Sequence, residues 1–151
     1  GDDARALMDI TERSLWAAIE AATRGNHVGA LGAAVIRTVE GPQYGIIRDL
    51  VGHGIGRDVH EEPQVPNVGR AGHGPLLRPG MVVAIEPMLS AGTPNIKTLE
   101  DGWTVVTADR TLSAHFEHTV AVTAEGPRVL TGAGIPEGSE GGTLNVQPET
   151  A

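Results

Sequence analysis

Residues 51–65 read VGHGIGRDVHEEPQV, and how this stretch is built decides how the rest of the chain folds around it. His53 and His60 stand seven apart, with Gly52, Gly54 and Gly56 around the first and Glu61, Glu62 and Pro63 after the second. Glycine lets a backbone bend and approach its neighbours where a Cβ would obstruct. The stretch therefore presents an imidazole from a shaped turn. Whether that imidazole does chemistry depends on what the remaining segments bring to meet it.

Upstream lie two helical patterns. Over residues 3–24, Leu7, Ile10, Ser14, Leu15, Ala18, Ile19 and Ala22 recur at helical spacing, and Gly25 follows as a stop. A shorter helix is predicted over residues 28–39, with Leu31, Ala34, Val35 and Ile36 on its apolar face and Gly41-Pro42 ending it. From Tyr44 onward the texture changes to short β-branched runs: YGIIRDLV, MVVAIEPML, WTVVT, HTVAVT and PRVLT. Gly, Pro, Asn and Asp clusters separate them with no helix between, which favours antiparallel pairing over crossover units. The expected class is α+β: two helices followed by antiparallel strands, in one domain over residues 1–131. Residues 132–151 hold few apolar side chains and are expected to form a disordered tail.

Composition excludes several functions. The chain has 151 residues, 40% of them hydrophobic but only 3% aromatic, so its core must be aliphatic and it has no platform for stacking bases. A net charge of -8 argues against direct nucleic-acid binding, which draws on Lys and Arg. Without cysteine there is neither a disulfide framework nor a thiolate metal site, so a metal must sit on His, Asp, Glu or carbonyl oxygen. No apolar run approaches the roughly 20 residues that span a bilayer, and the expected setting is cytoplasmic, with no membrane partner.

Four positions then stand out: His53, His60, Glu86 in AIEPM and Glu117 in HFEHT. Each glutamate falls in or at the end of an apolar run, where an unpaired carboxylate is costly to desolvate. A divalent metal holds two carboxylates together by offsetting their mutual repulsion. One imidazole with two carboxylates is a nitrogen and oxygen donor set suited to Mn, Fe, Co or Zn. His60 is placed to donate a hydrogen bond to a scissile carbonyl, or else to pair with Glu61 or Glu62 at the surface. His118, next to Glu117, is expected to point to the opposite face of its strand. His27, His73 and His115 fall in loop or turn contexts and are expected to be solvated.

Taken together, GHGIGRDVHEEPQVPN, LRPGMVVAIEPML and TLEDGWTVVTADRTLSAHFEHTVAVT resemble the C-terminal half of type I methionine aminopeptidases, from about Ala4 to Thr131. The resemblance implies a pita-bread fold around two divalent metal ions. It makes His53, Glu86 and Glu117 metal ligands, with Glu117 shared by both ions. His60 becomes a catalytic, substrate-contacting histidine, Glu86 the group that handles the proton of the attacking water, and Val59 and Trp103 walls of the methionine pocket. The implied reaction is removal of the initiator methionine from nascent proteins, whose N-terminal peptide is the partner.

The family's two aspartate ligands come from an N-terminal half with no counterpart in this sequence. Asp2 and Asp3 read as linker or N-cap residues instead. The expectation is a chain truncated at its N-terminus, with an incomplete metal site, uncertain activity by itself, and an apolar seam open to self-association. Two other functions share the fold: an Xaa-Pro aminopeptidase or prolidase, with the same metal constellation but against which HGIG, HEEP and EDGWTVVT stand, and a metal-free pita-bread binding module. Intact His53, His60, Glu86 and Glu117 argue against the second.

Overall fold

The computed structural model describes residues 1–41 and 43–132. The expected tail therefore lies, apart from Gly132, outside the described residues. Two helices come first: α1 (Asp2–Ala21) and α2 (Gly29–Val39). Helix α1 starts and stops a little before the predicted 3–24. Asp2 and Asp3 lie within its first turn rather than at the cap, which is Gly1. Two carboxylates there complement the positive end of the helix dipole.

Ten short strands follow: β1 (Gly45–Ile46), β2 (Gly52–Ile55), β3 (Glu61–Val65), β4 (Val82–Ile85), β5 (Met88–Ser90), β6 (Ile96–Thr98), β7 (Val105–Thr107), β8 (Ser113–His115), β9 (His118–Val122) and β10 (Pro127–Val129). They form a five-stranded sheet in the order β10-β9-β4-β2-β3, a three-stranded sheet β1-β5-β8 and a hairpin β6-β7. Every pairing is antiparallel. The run MVVAIEPML is two strands rather than one. It breaks at Glu86-Pro87, where proline has no N–H for the ladder, and its halves enter different sheets.

The helices bury their apolar stripes against one face of the large sheet. Leu7, Leu15, Ala18 and Ile19 of α1 and Leu31 and Val35 of α2 share one core with Val83 and Ile85 of β4 and Val120 and Val122 of β9. Each fully buried aliphatic side chain stabilises by roughly 1.5–3 kcal/mol relative to exposure. Ser14, on the apolar stripe, is fully buried and donates its hydroxyl hydrogen to the Thr11 carbonyl at 2.7 Å, so it brings no unsatisfied group inside.

Strand alternation divides the large sheet into two faces. His53 is opposite Ala84, and Ala84 opposite Thr119, so these three share a face. Gly54, Val83 and Val120 share the other, the one packed against the helices. Gly54 has to be glycine in this register, because a Cβ would run into the Glu62 backbone carbonyl. No helix of the described residues is long and apolar enough to cross a membrane.

Candidate metal centre

The face away from the helices gathers the chemistry. Glu86 follows Ala84 by two residues and Glu117 precedes Thr119 by two, so alternation carries both carboxylates to the face that holds His53. Glu86 is largely buried, its side chain 13% exposed, just past the end of β4. Its Oε1 faces His53 Nε2 at 3.6 Å and its Oε2 faces His115 Nε2 at 3.4 Å. Glu86, His115 and Glu117 each bring a ligand atom within 4.8 Å of the other two. His53 joins them through Glu86.

Two expectations need correction here. His115 is exposed as expected, with its side chain 47% accessible, but it is not in a loop. It ends β8, opposite Met88 of β5, and is part of the cluster. The signal was available in the sequence: in an extended segment, residues two apart share a face, so His115 travels with Glu117. Glu117 itself is exposed between β8 and β9 rather than buried within a strand, because the helices cover only the opposite face. His27 also departs from expectation, accepting a bridge pairing with Leu76 and placing Nδ1 2.6 Å from the Gly74 carbonyl. His73 is exposed.

The remaining sequence candidates are placed as follows. His60 stands in the loop just before β3, its ring centroid 4.1 Å from that of His53 with the planes at 38°. Val59 is 70% exposed in the same loop, and Trp103 is 88% exposed between β6 and β7. His118 faces the helices, pairs with Ile85 across the ladder, lies 5.2 Å from the Trp16 ring and has Nδ1 3.0 Å from Thr131 Oγ1. Burial holds its pKa below the ordinary histidine value, against the pull of Glu12 and Glu117.

The donor set suits a divalent cation. His53 Nδ1 lies 3.0 Å from the Gly54 carbonyl, which can only accept, so Nδ1 donates there and Nε2 is the ring nitrogen left toward the Glu86 carboxylate. The His–Glu separations of 3.4 and 3.6 Å exceed the roughly 2.7–3.2 Å of a good hydrogen bond. They match the spacing of about 3.4 Å between two ligands held ~2.1 Å from one ion at a tetrahedral angle. Burial, and next the charge of Glu117, push the Glu86 pKa above its ordinary 4.5, while His115, His53 and His60 pull it back. A positive ion relieves both costs.

Comparison with known proteins agrees with this chemistry. The profile of Metallopeptidase family M24 matches residues 1–124. A methionine aminopeptidase from Clostridium perfringens is 52% identical over 130 residues, 86% of this chain and 52% of the relative. A crystal structure of methionine aminopeptidase from Rickettsia prowazekii superposes with a TM-score of 0.82 at 38% identity, covering 85% of this chain and 52% of that one. The prolidase from Pyrococcus horikoshii, at 22% identity and a TM-score of 0.63, covers 89% of this chain and 33% of its own; it shares the fold. The chain spans about half the length of the methionine aminopeptidases it matches.

Proposed function

The chain belongs to metallopeptidase family M24, and from that premise we propose that it serves the metal-dependent release of N-terminal methionine from nascent proteins in the cytoplasm. The observation that carries the proposal is that Glu86 has His53 3.6 Å from one oxygen and a ligand atom of Glu117 within 4.8 Å, on the sheet face away from the helices. The higher identity to methionine aminopeptidases than to the prolidase favours methionine over an Xaa-Pro substrate.

In this reading His53, Glu86 and Glu117 hold the metal. Divalent ions of the Mn, Fe, Co or Zn type supply Lewis-acid polarisation of the scissile carbonyl and activation of water for attack. Glu86 is the proton acceptor, a carboxylate set between the two imidazoles His53 and His115 and close to Glu117. His60, exposed beside His53, donates a hydrogen bond to the carbonyl oxygen as negative charge develops there. Val59 and Trp103 meet the substrate's methionine side chain.

The test is release of free methionine from a Met-Gly-Ser tripeptide by this chain with Co(II) or Mn(II), beside a chelated control. Metal-dependent release that Glu117→Ala abolishes supports the proposal. Release that survives chelation, or an Xaa-Pro peptide cleaved in preference, overturns it.

A further inference from the structure

Resting on the metal centre proposed above, we propose that His115 is itself a metal ligand, binding through Nε2 beside Glu86 and Glu117. Three observations on this chain carry the inference. His115 Nε2 is 3.4 Å from Glu86 Oε2, a ligand-to-ligand spacing rather than a close hydrogen bond. Among the described residues, Glu86, His115 and Glu117 are the trio whose ligand atoms all fall within 4.8 Å of one another. The backbone also holds His115 in place: it pairs with Met88 on β5, two residues past Glu86, so one stretch of ladder sets the separation of the two side chains.

The two oxygens of Glu86 thus face different imidazoles, Oε1 toward His53 and Oε2 toward His115. With His115 counted, the chain's own donors are two nitrogens and two carboxylates. Glu86, His115 and Glu117 are close enough to share one ion, while His53 stands at the other oxygen of Glu86. Added imidazole also moves preference toward Co and Zn and away from Mg and Ca, which favour all-oxygen sites. His115 is 47% exposed on its side chain, so an ion reaches it from solvent and a substitution there leaves the core untouched.

The experiment titrates Co(II) into the 151-residue chain, following calorimetry, the visible absorption of bound Co(II) and the exchangeable imidazole N–H proton signals shifted by the paramagnetic ion. The wild type is compared with His115→Gln and His53→Ala, with far-ultraviolet circular dichroism confirming that each variant is folded. The expected result is that His115→Gln weakens Co(II) binding by at least about tenfold, changes the absorption bands and removes one shifted imidazole signal. The signal count on wild-type protein, with both His53 and His115 shifted, reads the assignment even if a variant misfolds. Affinity and spectrum unchanged in His115→Gln, with His53→Ala still weakened, overturn the role of His115 and leave the metal centre standing. Absence of Co(II) binding by the wild type overturns both.

Discussion

The two faces of the five-stranded sheet are made by alternate residues of the same strands, yet they differ in kind. On the helix side, Val83, Ile85, Val120 and Val122 are at most 2% exposed and pack into one aliphatic core. On the other side, one position along in each case, stand Glu86 beside Ile85 and Glu117 beside His118. The inner face secures the fold by burial, which tolerates no unpaired charge. The outer face, on the side away from the helices, gathers carboxylates and imidazoles, and a cation offsets the repulsion between its carboxylates. Neighbouring residues in the sequence therefore do unrelated work, and each pair of neighbours offers a way to separate stability from metal binding.

The largest expected effect falls on the inner face. Ile85→Ala deletes a side chain buried to 2% and should cost about 2–5 kcal/mol in urea unfolding, while Co(II) affinity of the folded chain stays unchanged. Lost affinity at full stability would mean that the faces are not separable. Glu117→Ala is the counterpart outside. It should weaken Co(II) binding about 100-fold, ~2.7 kcal/mol, with no fall in the melting temperature, as calorimetric titration and thermal unfolding would show. His118→Ala, one residue along, removes the ring beside Trp16 and its contact with Thr131 and should cost about 1–2 kcal/mol of stability with Co(II) binding retained.

The smallest effect sharpens the comparison through pH. Glu86 has its pKa raised above 4.5 by burial, so the folded metal-free chain holds that proton more tightly than the unfolded chain does. Stability from this group is therefore greatest at low pH, falls as pH rises from about 4.5 through the raised value, and stays reduced at neutral pH. Glu86→Gln removes the penalty and should raise the neutral-pH melting temperature of the metal-free chain by about 1–3 °C. Below the raised value the same proton competes with the ion, so Co(II) affinity should drop as the solution is acidified. A lower melting temperature for Glu86→Gln would contradict the repulsive account of the site.

Much of this arrangement is legible in the sequence. The helical stripes and the isolated carboxylates Glu86 and Glu117 follow from local pattern, whereas the turn expected at His53 is strand β2, whose glycines admit close backbone neighbours within the sheet. The departure of His118 to the inner face follows from alternation alone. His115 escapes a local reading because SAH carries no β-branched run to mark it as a strand. Its place is set by pairing with Met88, more than twenty-five residues earlier in the chain. Alternation with Glu117 was the one cue that would have brought it in. The split at Pro87 is equally non-local in its consequence, since only the partners of β4 and β5 reveal that the two halves of MVVAIEPML join different sheets.

The central claim is that the outer face is a metal centre built around Glu86. The most direct test is Co(II) titration of the wild-type chain and of Glu86→Ala, with the melting temperature of each measured without metal. The account predicts saturable binding by the wild type, its loss in Glu86→Ala, and a variant at least as stable as the parent. Equal binding by the two chains would contradict it.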